Sequence, residues 1–396
     1  MAYDLARVRA DFPALTEGAA FFDSPGGTQT PRQVTEAIST VMQRPLSNRG
    51  SRTRSEQNAD DIVVGARAAI ADLLRADPGG IVFGRSATQL TFDMARTLSQ
   101  SWQPGDEVIV TRLDHDSNIR PWLIAADRAG ATVRWTDFDP ATGELDVAQI
   151  ESQLSERTRL VAVTGASNLI GTKPDVAAIG RLVRSSDALF YVDGVHFTAH
   201  ASVDLAELGC DFFVCSPYKF FGPHHGVLAA APELLDSLRP DKLLPSSNAV
   251  PERFELGTLP YEMLAGTTAA VDYIASLAGS PAGSRRERLI EAHELIESHE
   301  LELRDRLEEG LLAAGATVWS RAKHRTSTAL FELPGQESAA VSDRLAEHGV
   351  NAPAGNFYAI EASRHLGLGD TGAVRAGITA YNNADDVERL LRALPV

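Results

Sequence analysis

Short apolar runs alternate along the middle of the chain with stretches whose apolar residues recur at helical spacing. The runs Ile81–Phe83, Glu107–Val110, Thr132–Trp135, Leu160–Thr164, Leu189–Val192, Phe212–Cys215 and Val227–Ala230 read as seven strands. Helical patterns separate most of them, which predicts an α/β fold: a mostly parallel seven-stranded sheet with helices on both faces. A short Gly-rich link joins the last two runs, so the final strand is expected to run antiparallel.

Before this region, residues 1–16 read as an amphipathic helix with Leu5, Val8 and Phe12 on one side. Phe21–Thr28 reads as a strand entering a Gly-rich turn. Pro31 is expected at the first position of the next helix. Asn48–Ser55 is polar, basic and loop-like, with a helix after it from about Asp60 to Arg75. Beyond Leu256-Gly257-Thr258 the pattern changes. Tyr261–Leu277 and Ser284–Ala313 read as long helices, broken at Gly279–Gly283. A strand at Thr328–Leu333, a helix at Ser338–His348, a strand at Arg375–Ile378 and a helix at Asp385–Leu394 complete a smaller α+β unit. The expected division is a large domain over 17–258 and a small one made of 1–16 and 284–396, joined by a helix at about 259–280.

Composition narrows the function classes. The chain has 396 residues, 44% apolar and 23% charged, as in ordinary globular enzymes. With 37 Lys+Arg against 53 Asp+Glu, the net charge of −16 argues against nucleic acid or an anionic membrane as partner. No apolar stretch approaches the length of a membrane span. Met1-Ala2-Tyr3-Asp4 lacks the basic and apolar regions of a secretory signal, so a cytoplasmic location is expected. The two cysteines, Cys210 and Cys215, provide neither a disulfide framework nor a four-ligand metal site.

In a largely parallel sheet, ligands bind beyond the carboxyl ends of the strands, and several of these ends carry chemistry. Lys219, in Ser216-Pro217-Tyr218-Lys219, follows a buried strand, where desolvation would lower its pKa and make the amine a nucleophile toward a carbonyl. Ser86, Ala87 and Thr88 open a helix after a strand. They form either an anion site, with phosphate as its natural occupant, or a simple cap. His115 could stack on a flat ring or be structural. Asn168 places an amide at a strand end. Asp193 could hold a protonated ring nitrogen, or serve as a salt-bridge partner or cap.

Several other motifs fail on spacing. Gly165–Thr172 has too many residues between its glycines for a P-loop. His293 and His299 are not spaced as a zinc helix and read as a solvated face. No G-x-G-x-x-G follows a strand and no G-x-S-x-G is present.

One ligand accounts for the set: a planar, phosphorylated ring bearing a carbonyl. Tyr191-Val192-Asp193-Gly194 followed by Ser216-Pro217-Tyr218-Lys219 resembles the fold-type I, class V aminotransferase-like proteins of the cysteine desulfurase-like (NifS/SufS-like) group. The resemblance runs over nearly the whole chain. It implies the PLP-transferase fold, pyridoxal 5′-phosphate as cofactor and a homodimer. By motif, Lys219 resembles the residue that binds the cofactor's aldehyde, and Asp193 the acid that keeps its ring nitrogen protonated. His115 resembles the stacking residue. Thr88 and Ser216 resemble phosphate ligands, with Ser86, Ala87 and Tyr218 beside them. Asn168 and His196 fall where the family contacts the phenolic oxygen, although glutamine is more usual at the second place. Thr258 matches a residue that reaches the neighbouring subunit's phosphate. Arg375, with Asn168, matches the grip on the substrate carboxylate.

The desulfurase's nucleophilic cysteine has no counterpart in Val350–Phe357. The implied activity is therefore C–S cleavage by β-elimination on an amino acid. Transamination and epimerisation are the alternatives, and a non-catalytic sulfur-trafficking partner is the remote one. Asn48–Ser55 and the loop around Asn356 and Tyr358 are expected to shape the pocket.

Overall fold

The structure is a computed structural model that describes residues 3–395. The ends of the expected small domain, at 1–2 and 396, lie outside the described residues. Among the described residues, thirteen strands form three sheets. In chain order they are β1 (Ala20–Phe21), β2 (Ile81–Gly84), β3 (Glu107–Thr111), β4 (Thr132–Thr136), β5 (Thr158–Thr164), β6 (Leu189–Asp193), β7 (Phe212–Cys215), β8 (Gly226–Ala230), β9 (Thr317–Val318), β10 (Thr328–Glu332), β11 (Val350–Asn351), β12 (Ala354–Gly355) and β13 (Ala373–Gly377).

The large sheet has the order β2-β8-β7-β6-β5-β3-β4. Strands β3 to β7 pair in parallel, and β8 runs antiparallel to both β7 and β2. The carboxyl ends of β2, β3, β5, β6 and β7 therefore share one edge. The middle strands are buried on both faces, which is why they read as unbroken apolar runs. The second sheet, β12-β13-β10-β9, is antiparallel. Strand β1 pairs with β11, so this piece of the N-terminal region hydrogen-bonds to the C-terminal unit.

Helix boundaries differ from expectation in places. The N-terminal helix is shorter, Leu5–Asp11, and a 3-10 turn follows it at Pro13–Glu17. Pro31 is the N-cap of Arg32–Met42 rather than its first residue. The next helix spans Arg54–Leu74, starting before Asp60, because Thr53 and Glu56 close a reciprocal capping box. The first turn is exposed and carries no apolar stripe, so periodicity did not reveal it.

The expected solvated face of the helix Arg285–Ala313 is also corrected. His293 is buried, with Nδ1 2.8 Å from the Leu289 carbonyl, and His299 Nε2 lies 2.9 Å from the Asn382 carbonyl. Helix Tyr261–Ser276 packs on both Arg32–Met42 and Arg54–Leu74 and leads into this long helix. Among the described residues, no helix is long and apolar enough to cross a membrane.

Candidate active site

The shared edge of the large sheet opens into a cavity of about 690 Å³. Each strand end places a side chain there because the chain must turn where the strand stops. Pro217 ends the β7 run, since it cannot donate to a ladder, and a 3-10 turn over Pro217–Lys219 folds Lys219 back over the sheet. Phe220 and Phe221 anchor that turn in the core. The Lys219 amine donates to the carbonyl of Pro25, in the Gly-rich turn after β1, and lies 4.8 Å from the Tyr218 ring centroid. Burial pushes its pKa down to about 7. The nearby Arg375 charge adds to the fall and Asp193 opposes it. A large share of the amine is therefore neutral at physiological pH.

Asp193 ends β6. Burial raises its carboxyl to about 6, against a hydrogen bond from the Val195 N–H (2.9 Å), the Lys219 charge and the Ser117 hydroxyl. It is mostly ionised at neutral pH.

His115 follows β3, and its Nδ1 accepts from the Ser117 N–H at 3.1 Å. That bond puts the ring proton of the neutral form on Nε2. Burial first, then the charges of Lys219 and Arg375, push the imidazole down to about 4, so it stays uncharged. Its ring stacks with that of Tyr358, at 5.6 Å between centroids.

Ser86 caps the helix Ala87–Leu98, accepting from the Gln89 N–H at 3.1 Å. A Cβ on Gly226 would lie 2.3 Å from the Ser86 carbonyl carbon, so strand β8 approaches this turn as only glycine allows.

Arg375, on β13 of the second sheet, reaches the cavity fully buried. It donates to the Asn168 carbonyl at 2.8 Å and sits 3.6 Å from the Phe357 ring centroid. Burial pushes it down to about 9, partly offset by Asp23, so it remains a cation.

The cavity is thus lined by Ser86, Ala87, Thr88, His115, Asn168, Asp193, His196, Ser216, Tyr218, Lys219 and Arg375. Thr258 is not among them: it lies in an exposed turn with Leu256 and Gly257. The segment Asn48–Ser55 does not line the cavity either. Arg49 instead pairs with Asp60 and Glu252. The loop containing Tyr358 does line it, with Phe357 and Tyr358 both at positive φ (51° and 61°). Sequence reading missed Phe92, Ser117 and Arg120 as lining residues. Phe92 lies one helical turn after Thr88, so the i, i+4 rule could have found it.

The arrangement fits pyridoxal phosphate on its own terms. A buried, partly neutral amine faces a buried carboxylate, and the Asn168 Oδ1 and Arg375 Nε are buried with no protein partner. These are unmet polar groups at the place where a polar ring and its substrate would lie. Cys210 is half-buried and Cys215 buried, and neither lines the cavity. Burial raises both thiols, Cys210 to about 12, so neither is a thiolate at neutral pH. Among the described residues, no cluster of metal-ligating side chains exists.

Comparison with known proteins gives concordant matches. The family model for class-V aminotransferases matches residues 20–390. A protein of Mycobacterium tuberculosis, MT3887, is 34% identical over 397 residues, covering 100% of this chain and 99% of that protein. A probable cysteine desulfurase of Pseudomonas aeruginosa is 32% identical over 405 residues, covering 98% of this chain and 96% of its own length. The crystal structure of the Escherichia coli cysteine desulfurase CsdA superposes with a TM-score of 0.87 at 27% identity, covering 99% of this chain and 98% of that one.

Proposed function

This chain belongs to the class-V aminotransferase family and is a pyridoxal-phosphate-dependent, cysteine desulfurase-like enzyme; on that premise we propose that it breaks a C–S bond of a sulfur amino acid by β-elimination, without a protein thiol. The observation that carries this reading is a desolvated lysine amine opposite a buried arginine, in a cavity with no cysteine on its wall.

In this reading Lys219 takes the cofactor's aldehyde and Asp193 faces its ring nitrogen. Ser86, Ala87, Thr88 and Ser216 hold the phosphate, with Tyr218 beside them. His115 covers the ring, and Asn168 and His196 flank the ring oxygen. When bound, pyridoxal phosphate supplies an electrophilic carbonyl and a ring that accepts the electron pair left at the substrate's α-carbon.

The chain's own groups do the rest. Arg375 offers the edge of its guanidinium to the substrate carboxylate, because Phe357 covers one face of it. Once the substrate's amine has displaced it from the aldehyde, the freed and neutral Lys219 amine would be the base for the α-proton. The sulfur leaves Cβ with the C–S electron pair, and water converts the released enamine to pyruvate and ammonia. A desulfurase would instead pass the sulfur to a thiolate, and neither Cys210 nor Cys215 is placed for that. Thr258 fits the phosphate role only from a second copy, so the working unit is a homodimer.

The test is to incubate cofactor-loaded enzyme with L-cysteine, L-cystine and cysteine conjugates and assay pyruvate and ammonia. Release of both from one of these is expected. A 2-oxo acid that keeps its sulfur would assign transamination instead, and no product from any of them would remove the C–S reading.

A further inference from the structure

Behind the cavity wall lies a buried acid–imidazole line that the reaction described above does not use. Glu300, on the helix Arg285–Ala313, and His200, at the end of the short helix Phe197–His200, are 1% and 3% exposed. Their side chains meet at 2.7 Å, Oε2 to Nδ1. The Ser327 hydroxyl lies 3.1 Å from the same oxygen, while the other carboxylate oxygen has no partner. The His200 ring meets the His196 ring edge-on, with centroids 4.7 Å apart. His196 lines the cavity, and its Nε2 is 3.1 Å from the hydroxyls of both Thr326 and Thr328. Thr326 donates to Thr328 at 3.2 Å, so both hydroxyls and Nε2 form one hydrogen-bonded cluster that fixes the His196 ring plane. A carboxylate placed this deep is costly unless paired, and a partner removed would leave it stranded.

We propose that Glu300 and His200 are positioning residues that act through His196: the carboxylate fixes the orientation of His200, the His200 ring fixes that of His196, and His196 sets the ionisation of the cofactor ring against it. This rests on the reading of the cavity as the pyridoxal phosphate seat. The other groups facing His196 are Lys219 from the turn after β7 and Arg375 from β13. Those facing Glu300 are Tyr3, His293 and Tyr381, whose own hydrogen bonds go to the Ala380 carbonyl, the Leu289 carbonyl and the Gln29 N–H.

The test is a pH titration of the visible band of the cofactor-loaded protein, in the parent, Glu300→Gln, His196→Gln and the double variant. Glu300→Gln removes a negative charge and keeps the shape. It is expected to move the midpoint by roughly half a pH unit, the size of effect that loosening one hydrogen bond at the ring gives. In the His196→Gln background the same change is expected to do nothing, because the link is gone. An unmoved midpoint in Glu300→Gln, or an equal shift in both backgrounds, overturns the proposal. If Glu300→Gln does not fold, His200→Gln is read by the same two criteria. A parent protein that takes up cofactor but has no titrating band contradicts the proposal alone, and one that takes up none contradicts the reading of the cavity as well.

Discussion

At the scale of single residues, the site is a set of groups whose burial moves them toward neutrality. Lys219 loses its charge near pH 7, His115 does not gain one until about pH 4, and Asp193 keeps its charge above about pH 6. Asp114 extends the pattern one layer deeper. Burial raises it from 3.8 to about 8, against hydrogen bonds from Thr111 and Asn118, and the Asp193 charge adds to the rise. Unfolded, the same carboxyl loses its proton near its ordinary value. Over that window the folded protein holds more protons, so this group's stabilisation is full at low pH and is lost as pH rises to about 8. Asp114→Asn should flatten that fall in the cofactor-free protein, measured as urea midpoints between pH 5 and 8 (an interval roughly inside the window). An unchanged slope would contradict it. Lys219 and Asp193 were legible in the sequence because they follow apolar strands in a specific pair of motifs. Glu300 is also legible in the sequence. It shares a helix stripe with Leu289, Ile296, Leu303 and Leu307, and a carboxylate in such a stripe signals a buried partner.

Among the elements, those that generate their own pattern were the readable ones. All seven strands of the large sheet fall within two residues of expectation; the middle ones are apolar throughout because they are covered on both faces, while the edge strand β4 is partly exposed. The two-residue strands β9, β11 and β12 exist only through tertiary pairing and leave no local signal. The turn at Leu256-Gly257-Thr258 was read for its role rather than its shape. It is exposed, with Leu256 55% exposed and Gly257 at φ +84°. On the proposed homodimer, Thr258→Ala is expected to weaken cofactor binding about tenfold, the loss of one hydrogen bond to a charged group. Mixing it with Lys219→Ala subunits should restore parental affinity at the sites built from an intact Lys219 and an intact Thr258. Equilibrium cofactor titration of the mixed sample checks this, and unchanged affinity in Thr258→Ala alone would place the phosphate wholly within one chain.

On the scale of the whole molecule, the fold gathers the site by topology. Five strand ends along one sheet edge, the Gly-rich turn at Pro25–Gly26 and Arg375 from β13 of the second sheet bring residues from 25 to 375 to one cavity. Strand order cannot be read from periodicity, which is why the placing of Ser117 and Arg120 on the cavity wall is less legible than the motifs themselves. The chain has only four lysines, Lys173, Lys219, Lys242 and Lys323, and Lys219 alone lines the cavity. That makes the central claim directly measurable. The cofactor-loaded protein is reduced with borohydride, digested, and the lysine carrying the pyridoxyl group is identified by mass spectrometry. A single modified peptide containing Ser216–Gly222 is expected. Modification at Lys173, Lys242 or Lys323, or at none, would contradict it.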